Sequence, residues 1–344
     1  MSARRAVSRS GQALPATRPP TLDEVATRAG VGRGTVSRVI NGSAQVSDQA
    51  REAVRSAIAE LGYVPNRAAR TLVTQRTDSI ALVVFESGER FFAEPFFGRI
   101  VQSISTGLVD RGLQMVLMIA QAPHERERLE GYLTRQHVDG ALLLSLHGAD
   151  PLPTKLEERG VATVRAGRPA GTDLGCYVDA DNRGGARDAV AYLKERGRHR
   201  IATITGPQDM AAGIARLAGY HDVAGPGLVA HGDFSEESGA AATVQLLSQD
   251  PELDAIFAAS DTMAAGALRI LRERGLRTPQ DVAVVGFDDS VVAAHTDPPL
   301  TSVHQPIEQM GQEMVRLLLS KIDGIEPEDP EVVLTTSLVI RGSA

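Results

Sequence analysis

Apolar residues near the start of the chain recur at the spacing of an α-helix. In the first segment they fall at i, i+3, i+4 and i+7 and form one apolar stripe, made of Leu22, Val25, Ala26 and Ala29. Thr21 and Glu24 have the T-x-x-E spacing of a capping box, which predicts that a helix begins here. Gly30 is the type of residue that ends a helix. The pattern therefore predicts a short helix that buries one face.

Two more helices are predicted after Gly30. The second has an apolar stripe of its own, formed by Val36, Val39 and Ile40. The third begins at Ser47 and Asp48, where a hydroxyl and a carboxylate suit the positive end of a helix, and Gly62 ends it. Three short helices of this kind make a complete helix-turn-helix domain, which we predict over residues 20–64.

The second helix leaves polar side chains on its outer face. They are two guanidinium groups and two small polar groups, from Arg33, Ser37, Arg38 and Asn41. Such groups bind base edges and phosphates of DNA. The alternative for this segment alone is an ordinary helical hairpin with a solvated face.

From Asp78 onward, short apolar runs alternate with helical patterns. The runs cover 80–85, 115–119, 140–144, 162–165, 201–205, 255–259 and 282–287. This alternation is typical of parallel sheets joined by right-handed crossovers. Ten or so strands exceed one comfortable open sheet, so two lobes are predicted. The expected fold class is α/β, with a small all-α head and a two-lobed body.

Charge divides the chain in the same place. The formal net charge is −7, yet the part up to Thr77 carries twelve arginines and five acidic residues. The basic head has a net charge of +7 and the acidic body a net charge of −14. A basic module suits DNA, and an acidic body does not adhere to it.

Composition excludes several other classes of protein. Cys176 is the single cysteine, so the chain has no internal disulfide and no zinc site built from cysteines. No apolar run approaches the roughly 20 residues of a membrane span. The N-terminus has arginines but no apolar core, so we expect no secretion signal and a cytoplasmic protein. Residues 1–19 have the composition of a disordered tail.

Four segments carry a resemblance to a known family. They are GVGRGTVSRVING, LGYVPNRAARTL, VVGFDDS and PPLTSVHQPIEQMG, and they occur in the expected order. From about Thr21 to its C-terminus the chain resembles the LacI/GalR family of bacterial transcription regulators. The resemblance implies a homodimer that binds a pseudo-palindromic operator in double-stranded DNA. It also implies a body of the periplasmic-binding-protein type, whose chain crosses three times between the lobes.

The resemblance assigns roles to residues of the head. It implies that the second helix enters the major groove, with Arg33, Gly34 and Arg38 at base-reading positions. Phosphate positions fall to Thr35, Ser37 and Asn41, and a hinge helix within 65–77 brings Ala69 and Leu72 into the minor groove. Thr21, Tyr63, Asn66 and Arg67 complete the predicted DNA-binding set. Two glycines depart from the family pattern. Gly32 stands where a serine usually caps the reading helix, and Gly34 provides no side chain at a base-reading position.

Ligands of doubly wound sheets bind beyond the carboxyl ends of the strands. The polar side chains that follow the predicted strands include Glu86, Ser145, His147, Arg168, Ser260 and Asp288. This mixture of groups suits a neutral, polyhydroxylated ligand. For His147 a purely structural role is the alternative, and Asp181 is interpreted as a helix cap.

A phenylalanine cluster sharpens this prediction. Five of the eight phenylalanines lie within the thirteen residues 85–97. Aromatic faces pack against the C–H faces of sugar rings, so Phe91, Phe92 and Phe96 are predicted ligand contacts. The alternative is that they belong to the core, which is the preferred interpretation for Phe97.

The resemblance implies three further ligand contacts, Arg216, Phe234 and Asp288. The FFAEPFF, SLH and RAGRP segments are similar to those of actinobacterial, cellobiose-responsive repressors. The expected effector is therefore cellobiose or a related β-gluco-oligosaccharide. Another sugar, a phosphorylated sugar or a purine corepressor are the alternatives within the family.

A transport receptor and an enzyme are the two alternatives from other classes of protein. A sugar-binding transport receptor would share the body but not the head. An enzyme on this fold would need a nucleophile elbow, a P-loop or a dinucleotide fingerprint after a strand, and the chain has none of these motifs. We predict no catalytic residues, no metal and no cofactor. The lobes are expected at 78–176 with 303–329, and at 177–302 with 330–344.

Overall fold

The computed structural model describes residues 18–40, 43, 45–64, 76–169 and 175–344. The chain divides into two compact units, Met1–Arg76 and Thr77–Ala344. Much of the predicted hinge, residues 65–75, and the tail up to residue 17 lie outside the described residues.

The head unit is built from three helices, α1 (Leu22–Ala29), α2 (Arg33–Ile40) and α3 (Asp48–Leu61). The predicted capping box is present, since the Thr21 amide donates to Glu24 Oε2 over 2.6 Å. Gly30 and Gly62 end α1 and α3 in the left-handed region, at φ 66° and 62°. Val25, Val36 and Val54, one from each helix, are fully buried. The apolar stripes of the sequence thus form a small core.

The body unit alternates strands and helices. Its strands are β1 (Ser79–Val84), β2 (Gln114–Ile119), β3 (Gly140–Leu144), β4 (Ala162–Ala166), β5 (Tyr177–Ala180), β6 (Ile201–Thr205), β7 (Leu228–His231), β8 (Ala255–Ala258), β9 (Ala283–Asp288), β10 (Thr301–His304), β11 (Glu331–Leu334) and β12 (Ser337–Val339). Its helices are α4 (Gly88–Ala93), α5 (Pro95–Val109), α6 (Pro123–Leu133), α7 (Leu152–Glu158), α8 (Asn182–Glu195), α9 (Ala211–Ala224), α10 (Glu236–Gln249), α11 (Asp261–Glu273), α12 (Val291–His295) and α13 (Ile307–Ile322).

The strands form two sheets, one in each lobe. Within the described residues, the first has the order β11-β5-β4-β3-β1-β2 and the second the order β12-β10-β9-β8-β6-β7. All neighbours pair in parallel except β10 and β12. Apolar side chains on both faces of each sheet pack against helices. The predicted α/β class and two-lobed body are confirmed.

The chain crosses three times between the lobes. It leaves the first sheet after β5, returns after β10 to place α13 on the first core, and passes from β11 to β12 near its end. The predicted lobe boundaries need correction, because 177–180 and 331–334 belong to the first sheet and were assigned to the second lobe. Both are short strands at or near the edge of the first sheet, where the sequence has only four residues to show a pattern.

Candidate functional site

A cavity of about 520 Å³ lies in the body at the carboxyl ends of both sheets. Its wall includes Ser145 after β3 and Arg168 after β4 of the first lobe, and Asp288 at the end of β9 of the second. This is the position at which doubly wound sheets bind ligands. Volumes of 300–1,000 Å³ are usual for small-molecule sites, so the cavity has the size of a ligand-binding site.

Arg216 on α9 is the centre of a buried polar network in this wall. Its side chain is only 4% exposed. Its Nε donates to Asn182 Oδ1 over 2.8 Å, and its Nη1 donates to the carbonyl of Ala259 over 2.6 Å. Its Nη2 lies 3.2 Å from Asp288 Oδ1. The guanidinium also stacks on Phe287, with 3.7 Å between its Cζ and the ring centroid. These contacts fix the position of the Arg216 side chain.

Buried carboxyl groups next to Arg216 have altered proton affinities. Burial raises the pKa of Asp288, although the charge of Arg216 opposes the shift. Burial and then the charge of Asp288 raise the pKa of Asp261 to about 7. Asp261 is held by the amide of Ser290 and by the hydroxyl of Ser302, at 2.6 and 2.5 Å. Asp261 lies behind the wall, whereas Asp288 lines the cavity and offers an acceptor to a ligand rich in hydroxyl groups.

Several residues of the cavity wall have backbone conformations that side chains disfavour. Ser145, Phe234 and Asp288 have φ values of 55°, 73° and 100°. Such conformations cost about 1–3 kcal/mol each and cluster at functional sites. Their presence in one wall supports the assignment of the cavity as the functional site of the body.

Six of the predicted ligand contacts line the cavity: Phe96, Ser145, Arg168, Arg216, Phe234 and Asp288. They come from both lobes, as a clamp requires. The ring of Phe234 has the guanidinium groups of Arg90 and Arg216 at 5.3 and 5.8 Å from its centroid. Gly206 lies against the same ring, because a Cβ added to Gly206 would stand 2.2 Å from Phe234 Cζ.

Two phenylalanines that were predicted to contact the ligand, Phe91 and Phe92, are not part of the cavity wall. Phe91 is 7% exposed, and its ring lies 5.3 Å from that of Phe97, so it belongs to the first-lobe core. Phe92 is 81% exposed and lies outside the cavity wall. Phe91 and Phe92 are consecutive residues of α4, and only the face of this helix that carries Phe91 is buried. Only Phe96 of the three predicted phenylalanines reaches the cavity.

Glu86 and His147 also lie outside the cavity wall, where they hold the two lobes together. His147 Nδ1 lies 2.9 Å from Asp209 of the second lobe, and its Nε2 lies 3.4 Å from Glu86 of the first. Arg90 binds Glu86 as well, at 2.9 Å. The hydrogen bond to Glu86 and that to Asp209 raise the pKa of His147. The structural alternative for His147 is therefore the better description.

Ser260 is a further correction. It is 1% exposed, and its hydroxyl accepts a hydrogen bond from the amide of Met263 at the start of α11. It caps this helix and does not line the cavity. Asp181 caps α8 as predicted, by accepting from the amide of Gly184 over 2.8 Å, and it also borders the cavity.

The sequence interpretation missed several polar residues of the wall. They include Arg90, Glu94, Asp179, Asn182 and Gln305. Asn182 lies two residues after β5 and Gln305 directly follows β10, two four-residue strands that the apolar pattern did not predict. Recognising those strands would have identified both residues by the same rule that found Ser145.

The head presents the predicted DNA-reading face on α2. Arg33, Gly34 and Arg38 are exposed, and Thr35 and Ser37 are half-buried beside them. The side chain of Arg33 remains 73% exposed although it approaches Asp23 at 3.7 Å. Space is open around Gly34, where an added Cβ would meet nothing within 4 Å. This face is basic and unobstructed within the head.

Two other members of the predicted DNA-binding set have structural roles. Thr21 caps α1. The ring of Tyr63 is 9% exposed and belongs to the head core, so it does not extend from the surface as a free contact. Asn41, Asn66, Arg67, Ala69 and Leu72 lie outside the described residues.

The described part of the chain contains no helix long and apolar enough to cross a membrane. It also contains no group of three or more His, Cys, Asp or Glu side chains placed to hold a metal ion.

Comparison with known proteins covers both units. Residues 21–66 match a family model described as bacterial regulatory proteins, lacI family. Residues 190–344 match a periplasmic binding protein-like domain. Among solved structures, a complex of the transcriptional regulator CelR with cellobiose is 54% identical, covers 94% of this chain and 100% of its own, and has a TM-score of 0.75. A lac repressor dimer bound to operator and an anti-inducer is 30% identical over 95% of this chain and 99% of its own, with a TM-score of 0.84.

Curated relatives extend over nearly the whole chain. The transcriptional regulator CelR of Thermobifida fusca is 57% identical over 335 residues, which are 95% of this chain and 98% of that protein. The repressor PurR of Salmonella paratyphi B is 35% identical over 94% of this chain and 96% of its own. With a reading head, a two-lobed clamp and relatives of this similarity, the chain belongs to the LacI family of bacterial regulatory proteins.

Proposed function

We propose that this protein is a sequence-specific repressor of carbohydrate-utilisation genes, and that a β-gluco-oligosaccharide, with cellobiose as the first choice, releases it from its operator. The composition of the cavity wall is the observation that supports a sugar as the effector. Arg216, Asn182 and Asp288 form a fixed set of donors and acceptors beside the ring of Phe234. Polar groups of this kind form hydrogen bonds with sugar hydroxyls, while an aromatic face packs against the C–H face of a sugar ring.

The head unit binds DNA and the body unit binds the sugar. The exposed face of α2, with Arg33 and Arg38, enters the major groove and reads bases. The protein acts as a homodimer, whose two heads match the two halves of a pseudo-palindrome. As an operator-binding regulator it works in the cytoplasm, where the chromosome lies. Sugar binding favours a closed cleft, and the closed form binds operator less tightly.

The choice of cellobiose is supported by the regulator at 57% identity, because a CelR structure contains cellobiose. A purine corepressor is the second candidate, because proteins named PurR are 35% identical over nearly the full length. The cavity wall carries six carboxyl groups and five arginines, so a phosphorylated ligand would find no excess of positive charge there.

A binding experiment tests the proposal. Duplex fragments from the upstream region of the protein's own gene are tested for retardation at several salt concentrations. Cellobiose, maltose, ribose, galactose and hypoxanthine are then added in turn. The proposal expects sequence-selective binding that cellobiose relieves. Binding that hypoxanthine strengthens would support a purine corepressor, and no selective binding would remove the proposed function.

A further inference from the structure

Glu94 is a polar residue of the cavity wall that the predicted ligand contacts do not include, although it lies within the FFAEPFF segment. It lies between α4 and α5, where it is the N-cap residue of α5, yet its side chain makes no capping hydrogen bond. Pro95 follows it and has no amide hydrogen that needs a partner. The side chain, 14% exposed, borders the cavity instead.

Only one of the two carboxyl oxygens of Glu94 is used. Its Oε2 accepts a hydrogen bond from Arg90 Nε at 3.3 Å. Its Oε1 has no hydrogen-bond partner among the residues that the structure describes. A partly buried carboxyl oxygen that no protein donor binds remains available to a donor in the cavity. Because this oxygen belongs to a cavity wall, a ligand is the natural source of the missing donor.

The position of Glu94 complements that of Asp288. Glu94 belongs to the first lobe and Asp288 to the second, and both line the same cavity. Arg90 and Arg216, which pair with these two carboxyl groups, both lie over the ring of Phe234. The cavity thus carries one arginine-carboxylate pair from each lobe, with an aromatic ring between them.

We propose that Glu94 is a specificity-determining residue, which accepts a hydrogen bond from a hydroxyl of the sugar while Asp288 accepts one from another hydroxyl across the cleft. A neutral polyol with donors at both ends bridges the two lobes and closes the cleft. This inference rests on the proposed sugar effector and adds the residue by which the first lobe recognises it.

Proton release on sugar binding gives this role a signature. Burial raises the pKa of Glu94 to about 7; Arg90 opposes the shift, and Asp288 and Glu86 add to it. Hydroxyl donors favour the ionised form of a carboxyl group, so sugar binding lowers the pKa of Glu94 and releases a proton. At pH 7 about half of the Glu94 side chains carry that proton, and about half a proton is released per site. Affinity rises with pH up to about 7 and falls about fivefold between pH 7 and pH 6.

The experiment is calorimetric titration of the full-length protein with cellobiose in two buffers of different ionisation enthalpy, at pH 7. Glu94→Gln keeps the size of the side chain and removes its charge. We expect it to weaken binding roughly tenfold or more, as for loss of a hydrogen bond to a charged group, and to reduce the proton release by about half a proton. Glu89→Gln is the matched control, because Glu89 is exposed on α4 and lies outside the cavity wall. It should bind and release protons as the parent does.

Each result has one meaning. If the parent binds cellobiose and Glu94→Gln binds equally well, the inference is wrong and the proposed function stands. Weaker binding by Glu94→Gln with unchanged proton release also overturns it, since the residue would then act only through the shape of the wall. If the parent binds no sugar, the proposed function itself fails. Should Glu94→Gln not fold, a flat affinity profile of the parent between pH 7 and pH 6 overturns the inference. A fivefold loss that persists in Asp288→Asn supports it, and a loss that disappears in Asp288→Asn overturns it, because burial raises the pKa of Asp288 as well.

Discussion

Removal of the Arg216 guanidinium is the perturbation whose size the structure defines best. In Arg216→Met most of the apolar stem is kept, but Asp288 Oδ1 loses its cationic partner, 3.2 Å away. The carbonyl of Ala259 and the amide oxygen of Asn182 lose their donors as well. Breaking one side of a buried ion pair costs about 3–5 kcal/mol. Domains have a total stability of about 5–15 kcal/mol, so the body should remain folded but clearly weakened.

Denaturant unfolding and two binding assays measure this effect. We expect Arg216→Met to lower the free energy of unfolding of the body, to abolish the response to cellobiose and to leave operator binding nearly normal. The double variant Arg216→Met/Asp288→Asn should be more stable than the sum of the single effects, because the stranded charge is gone. Arg111→Met, in the exposed turn that follows α5, is a control for the loss of an arginine. Full stability and a normal sugar response in Arg216→Met would refute the network described here.

Three further predictions concern other parts of the molecule. Gly206→Ala should displace the ring of Phe234, because the new Cβ would stand 2.2 Å from it; cellobiose titration should show weaker binding, and unchanged affinity would contradict the contact. Asp261 has a folded-state pKa of about 7, raised from 3.8 by burial, so its contribution makes the body less stable as the pH rises from about 4 to about 7. Asp261→Asn should reduce that slope in unfolding experiments at several pH values, and an identical slope would count against the raised pKa. Leu72→Ala should weaken operator binding by about tenfold or more with little change in sugar affinity, because the family resemblance places Leu72 as a minor-groove wedge; undiminished retardation of operator fragments would contradict that role.

Long, apolar strands of the body were predictable from sequence. The runs 140–144 and 201–205 coincide with β3 and β6, because both are buried on two faces and read as continuous apolar segments. Strands β5, β7, β10, β11 and β12 were missed. They have three or four residues, which are too few for a period to emerge. The error in the lobe boundaries follows from these omissions.

Within the site, the sequence predicts residues that follow strands or carry a family motif. Ser145 and Arg216 are examples of the two kinds. It does not distinguish Phe91 on α4 from Phe96 on α5, because the difference depends on which face of each helix meets the core. The sequence also predicts His147 as a ligand contact. It cannot show the contact between His147 and Asp209, because these residues lie 62 positions apart in the chain. Such long-range pairings are set by the packing of the lobes and leave no local pattern.

The central claim is that one molecule couples operator binding to sugar binding. The most direct test is to measure operator affinity with and without saturating cellobiose, and cellobiose affinity with and without operator. Linkage requires both affinities to change by the same factor, and roughly 5- to 150-fold is typical of allosteric coupling. Equal factors in this range, with each ligand weakening the other, are what the account predicts. Tight operator binding that cellobiose leaves unchanged, with sugar affinity indifferent to DNA, would contradict it.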